Sequence, residues 1–185
     1  MSGEQTIEGA GLRVVFRRLA DRYAHRVESI GPGGVLALAE SIEGSPDELW
    51  PASPPLQELH FEHRSDDRQL AFLVGRAGAN HWSLSIELDA AAGKITFDAA
   101  CRVHSAPERL GSSYRLLAHE VGPAISGASL IGWAGGCELK SERIEGEAAC
   151  QIIRCPNELQ LLPASVSPPW PLTVRWRYAV LAKRR

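Results

Sequence analysis

The sequence predicts a mainly β protein: a single antiparallel β-barrel or two-layer β-sandwich of about ten strands with little helix. Three observations carry that prediction. Apolar and polar residues alternate with period two through most of the chain, as half-buried strands require. Pro and Gly clusters cut the chain into short runs at strand–turn–strand spacing. Residues 81–104, HWSLSIELDAAAGKITFDAACRVH, alternate on both sides of a Gly-containing turn, the pattern of a β-hairpin.

Taken in order, residues 1–10 read as a frayed tail ahead of a single domain over residues 11–185. LRVVFRRL puts Leu12, Val14 and Phe16 on one face, and RYAHRVESI does the same with Tyr23, His25 and Val27. After GPGG, the run GVLALAESIEG fits either a strand or a short helix, and SPDELW fits a helical turn with a Ser cap and Pro at its first position. PASPPLQELHFEHR passes from a Pro-rich loop into a strand with Leu59 and Phe61 inward, and RQLAFLVG is apolar enough for a central strand buried on both faces.

In the hairpin, setting Leu88 opposite Ile95 pairs Ile86 with Phe97, Leu84 with Ala99 and Trp82 with Cys101. The other face then pairs Glu87 with Thr96, Ser85 with Asp98, Ser83 with Ala100 and His81 with Arg102. A slip of one residue would mix apolar and polar faces, so the pattern specifies this register. Later strands fall in SYRLLAHEV, CELKSERIE, ACQIIRC, ELQLLP and TVRWRYAVLA, with SPPWP as the connection before the last.

A chain of 185 residues has the size of one domain, and such a domain buries about 70% of its unfolded surface. A net charge of −2 provides no bulk field to attract nucleic acid or anionic membrane, so neither is expected as a partner. MSGEQTIEGAG lacks a basic start followed by an apolar run, and no stretch approaches the roughly 18 apolar residues of a membrane span. A cytoplasmic location is expected. Cys101, Cys137, Cys150 and Cys155, irregularly spaced and without a Cys-x-x-Cys pair, read as free thiols. Cys101 and His104 are an odd number of residues apart and so fall on opposite faces of a strand, which argues against a zinc site.

Phosphate loops, dinucleotide fingerprints, His-Glu-x-x-His and nucleophile elbows are absent from the sequence. The leading functional expectation is a non-catalytic small-molecule-binding domain. Its candidate ligand contacts are His81, Ser83, Ser85, Glu87, Asp98 and Arg102 on the polar side of the hairpin, with His104 at its end. Trp82 is a further candidate, as is Trp133 within Gly-rich GPAISGASLIGWAGG, where glycines permit close backbone approach. The competing reading of the hairpin's polar side is a solvated sheet face. Trp82 and Trp176 sit on apolar phases suited to a core; Trp50 and Trp170, beside prolines, suit lids over its ends.

A second, enzymatic expectation rests on strands with alternating ionisable residues. QELHFEHR offers Glu58, His60, Glu62 and Arg64, CELKSERIEGE offers Glu138, Lys140 and Glu142, and the last strand offers Arg175 and Arg177. In a closed barrel with a polar interior, the acids would hold a divalent metal and the bases phosphates. This resembles the triphosphate-tunnel enzymes, whose alternating glutamates ending in lysine lie in the first strand, where this chain has LRVVFRRL. The resemblance implies a metal-dependent phosphohydrolase. Surface ion pairs between strands give the same spacing. No cofactor is expected under the leading reading and a divalent metal only under the second. A third reading is a protein-interaction or scaffolding domain, with a homodimer as its simplest form.

Overall fold

The computed structural model describes residues 3–118, 125–145 and 149–182. Among these are fifteen strands. In chain order they are β1 (Gln5–Gly9), β2 (Leu12–Leu19), β3 (Arg22–Gly31), β4 (Gly34–Ser41), β5 (Glu58–Ser65), β6 (Arg68–Ala77), β7 (Asn80–Asp89) and β8 (Lys94–Val103). They continue with β9 (Ser112–Leu116), β10 (Ile125–Ala128), β11 (Leu130–Trp133), β12 (Cys137–Glu142), β13 (Gln151–Arg154), β14 (Glu158–Leu162) and β15 (Leu172–Ala182). One 3₁₀ turn spans Ala134–Gly136.

The strands form two antiparallel sheets packed as a sandwich, without barrel closure. The first runs β1-β2-β3-β4-β9-β14-β13-β10 and the second β11-β12-β15-β8-β7-β6-β5. Between the sheets, Leu12, Val14, Phe16, Val27, Leu38, Tyr114, Ile152 and Leu161 of the first meet Trp82, Leu84, Ile86, Phe97, Ala99, Trp176 and Tyr178 of the second. These are the apolar phases of the alternating runs, so burial of one face dictates which residues turn inward. The β7–β8 register is the one the alternation specifies, from His81 opposite Arg102 to Leu88 opposite Ile95.

Several expectations are corrected. Residues 1–10 are not a frayed tail throughout: β1 pairs with β2 from Gln5–Phe16 to Gly9–Leu12, and Ile7 is buried. The edge is held to the facing sheet by the Gln69 carboxamide, which donates to the Glu8 carbonyl at 2.9 Å and accepts from the Glu8 N–H at 3.3 Å. SPDELW makes a single turn. The Ser45 N–H donates to Glu48 Oε2 and the Glu48 N–H to the Ser45 carbonyl, both at 3.2 Å, so the turn is closed by backbone and side chain together. The next residues, PASPPL, contain three prolines and cannot continue a helix.

β6 is covered fully on its inner face and only in part on its outer face, where Leu70 is buried and Phe72 half-buried. Ala71, Leu73 and Ala77 are buried between the sheets, whereas Val74 is 46% exposed, because it belongs to the outward phase of the second sheet. The Gly-rich stretch 122–136 supplies β10 and β11 within its described part, and a single residue, Ser129, separates these strands of different sheets. The strand count exceeds the expected ten partly through β1, β10 and β11. Four- or five-residue strands are too short for their period to be read.

One loop packs against the core beside Trp82. Residues 51–56 are all buried, and Trp50 meets Trp82 edge-on at 6.5 Å, which in turn meets Trp176 edge-on at 6.3 Å. The loop lies against Gly75, where a Cβ would sit 1.8 Å from the Pro55 carbonyl oxygen. Backbone cannot yield there as a side chain can. Gly75→Ala is therefore expected to destabilise the protein by about 1–3 kcal/mol or more in urea denaturation. Gly132→Ala, which meets nothing within 4 Å, is expected to be neutral or stabilising by up to ~1 kcal/mol. Equal effects at the two positions would contradict this account of the loop.

Candidate functional site

Extending the β7–β8 register to its neighbours defines the outer face of the second sheet. Arg76 lies opposite His81, His81 opposite Arg102, and Arg102 opposite Thr173, so four strands contribute one transverse row. The next row is Glu58, Val74, Ser83, Ala100 and Arg175; the one after it is His60, Phe72, Ser85, Asp98, Arg177 and Glu142. Both groups of sequence-predicted polar residues thus share one face. Each belongs to the outward phase of a strand whose inward phase is core.

This face holds a trough in three overlapping sections. The first, about 530 Å³, is lined by Gln57, Val74, Gly75, Arg76, His81, Ser83, Ala100, Arg102 and Thr173, with Glu58 at its wall. The second, about 360 Å³, shares Val74, Ser83 and Ala100 with it and adds Phe72, Ser85, Asp98 and Arg175. The third, about 340 Å³, shares Ser85 and Asp98 with the second and reaches Arg68, Glu87, Lys94, Glu142 and Arg177. Volumes of this size accommodate small organic ligands.

The electrostatics differ along the trough. In the third section most charges have partners. Lys94 pairs with Glu142 at 2.6 Å, and Arg68 pairs with Asp89 at 3.3 Å and Glu87 at 3.6 Å. Asp98 Oδ2 accepts from Arg175 at 2.8 Å, from Arg177 Nε at 3.1 Å and from Arg177 Nη2 on the same edge of the guanidinium. In the first section, Arg102 donates to the Thr173 hydroxyl at 3.4 Å, and among the described residues no carboxylate pairs with Arg76 or Arg102. The Gln57 carboxamide holds the Arg76 backbone from both sides, donating to its carbonyl at 3.2 Å and accepting from its N–H at 3.1 Å.

The remaining candidates are dispersed. Trp133 is 8% exposed and faces the core, because Gly132, not Trp133, shares the outward phase of β11, and it does not line the trough. Trp82 is 2% exposed and reaches the first section only at its floor. Glu62 and Arg64 bond each other at 3.1 Å at the β5 end, while Glu138, Lys140 and Glu142 lie on β12. Four strands separate β5 from β12, about 24 Å at 4.8 Å per step. These carboxylates therefore cannot converge on one ion, and among the described residues no three His, Cys, Asp or Glu side chains do so. The polar barrel interior expected for a phosphohydrolase is instead an apolar sandwich core, with the ionisable faces turned to solvent. His104 lies past the end of β8, exposed, while Cys101 is buried. The four cysteines are free, and burial pushes the Cys101 and Cys150 thiols up to about 12.

Sequence reasoning missed Arg76, Thr173 and Gln57. The first two are in phase with His81 and Arg102, a signal that becomes readable only when β6 and β15 are known to flank the hairpin. It also missed a polar network in the core. His25 Nε2 is 2.7 Å from the Tyr114 hydroxyl, which is 2.5 Å from the Tyr178 hydroxyl. Ser41 donates to Glu43 Oε1 at 2.6 Å and accepts from the His25 N–H at 2.9 Å. Burial draws the His25 imidazole down to about 4 and pushes the Glu43 carboxyl up to about 7.

No model of a known protein family matches this sequence, and no curated protein is significantly similar to it. Among the described residues no helix is long and apolar enough to cross a membrane.

The network sets a pH prediction. Folded His25 binds fewer protons than an ordinary histidine at 6.5, so its contribution to stability is lost as pH falls from about 6.5 to 4. Folded Glu43 keeps its proton longer than an ordinary glutamate at 4.5, so stability is lost as pH rises from about 4.5 to 7. Glu43→Gln removes only the second effect. The stability of the variant relative to the native protein is expected to rise by up to roughly 3 kcal/mol between pH 4.5 and 7.5. Urea midpoints for both proteins across that range test this, and parallel profiles would show that Glu43 does not ionise in the fold.

Proposed function

We propose that the protein is a non-catalytic small-molecule-binding domain whose ligand lies in the trough on the outer face of the second sheet. The observation that carries this reading is the first section of the trough. There, exposed Val74 and small Ala100 form an apolar floor beside Arg76, His81 and Arg102, none of which pairs with a carboxylate among the described residues. An apolar floor with a few convergent polar groups is the usual composition of a ligand site. The adjoining sections lengthen the groove, so a ligand longer than the first section would lie across β6, β7, β8 and β15.

The phosphohydrolase alternative lacks such support, because its acids are spread over both ends of the sheet. Ser83, Ser85 and His81 occupy neighbouring positions on one strand, and among the described residues none has a carboxylate partner that would activate it as a nucleophile or base. What the trough offers is shape, an apolar surface and donors.

Comparing native with denatured mass spectra of the purified protein is expected to show a small organic adduct held without a covalent bond. Ala100→Trp fills the floor shared by two sections and is expected to abolish the adduct while changing stability by less than ~0.5 kcal/mol. Added ligand at about 100 times its Kd is expected to raise the native protein's thermal midpoint by roughly 5–10 °C. A bare chain in both spectra, together with a small-molecule library that shifts no amide signals of β6–β8, would overturn the reading.

A further inference from the structure

We infer that the trough takes a ligand with an oxyanion head, seated on the transverse row Arg76–His81–Arg102–Thr173, and an apolar body lying over Val74 and Ala100. This deepens the reading of the trough as a ligand site and rests on it. Four features of the structure support it.

The first is an imbalance of partners. Along the second and third sections Arg68, Lys94, Arg175 and Arg177 all pair with carboxylates, whereas Arg76 and Arg102 have none among the described residues. The protein as a whole carries a net charge of −2, yet the first section is lined by two arginines against one acid, Glu58. Glu58 stands on the edge strand β5, one row over from Arg76 and beyond Val74. Arg102, on β8, is two strands further from it. The Arg102 side of the row is therefore the more positive.

The second is geometry. Adjacent strands place Arg76, His81, Arg102 and Thr173 at successive steps of about 4.8 Å, so two guanidinium groups flank an imidazole, with a hydroxyl at the end. Guanidinium forks and hydroxyls are the donors that match the several acceptor oxygens of a phosphate, sulfate or carboxylate. Third, the row is held in place. Gln57 clamps the Arg76 backbone, and Thr173 orients Arg102. Fourth, the neighbouring row supplies Val74, 46% exposed, and Ala100, whose small side chain leaves the floor open. An apolar chain extending from the head would cover that valine.

The test uses hexyl phosphate and hexanoate as anionic probes and 1-hexanol as their neutral counterpart, titrated into the full chain at low and high salt. Amide shifts report the site. The expected result is saturable binding of the anions with shifts at Arg76, His81 and Arg102, weakened by salt and at least about tenfold tighter than 1-hexanol. Arg102→Gln and Arg76→Gln should each remove most of that preference and leave the thermal midpoint without ligand unchanged. Equal binding of hexanol and the anions, with shifts at Val74 and Ala100, would overturn the oxyanion head while the trough remained a ligand site. Anion binding unaffected by both variants would overturn the row as its seat. If no probe shifts Val74 or Ala100, the inference and the ligand-site reading fall together.

Discussion

The pairing of β7 with β8 constrains more of this protein than any other contact. Its inward phase, Trp82, Leu84, Ile86, Phe97, Ala99 and Cys101, lies at the centre of the core, and its outward phase forms the middle of the trough. A slip of one residue would bury Asp98 and Arg102 and expose the aromatics, at a cost well beyond the marginal stability of a domain. With the hairpin fixed, β6 joins one side and β15 the other, each with its own apolar phase inward. The outward residues of four strands are then forced into rows. Nothing about Arg76 or Thr173 had to be arranged separately.

The two sheets also meet through polar groups. Tyr178 of the second sheet bonds Tyr114 of the first, and Tyr114 bonds His25. Phe97 stacks on Tyr178 with centroids 4.9 Å apart. A buried hydroxyl without a partner costs about 1–3 kcal/mol, so these groups favour the one sliding position of the sheets at which all three are bonded. Apolar packing alone tolerates more than one such position. The His25 Nδ1 and Glu43 Oε2 atoms, buried without hydrogen-bond partners among the described residues, mark where the network is incomplete and where protonation acts on stability.

Charge on the outer faces follows a common device. On the first sheet Glu28 lies between Arg13, at 2.5 Å, and Arg26, at 2.7 Å; on the second Asp98 lies between Arg175 and Arg177. A carboxylate set between two arginines, on its own strand or a neighbouring one, neutralises part of their repulsion and fixes long side chains that would otherwise be mobile. Against that background, Arg76 and Arg102 of the first section have no carboxylate partner among the described residues. They retain the capacity for charge-assisted hydrogen bonds that their counterparts have already used within the fold.

Much of this was legible in the chain itself. Period-two alternation determined the strand-rich class and the β7–β8 register, because a half-buried strand has only two faces and only one can be apolar. It also determined that His81, Ser83, Ser85, Asp98 and Arg102 share a face. The sequence could not reveal β10 and β11, which are four residues each, or the strand β1 in what reads as a polar tail; neighbouring strands supply the hydrogen bonds that hold them. It suggested a polar barrel interior because alternation defines two faces without saying which is inside. Only the packing of the two sheets decided that. It turned Trp133 into the core, placed Glu58 and Glu142 toward opposite edges of one sheet face, and set Arg76 and Thr173 beside His81 and Arg102. Lateral strand order depends on contacts between segments far apart in the chain, and no local pattern encodes it.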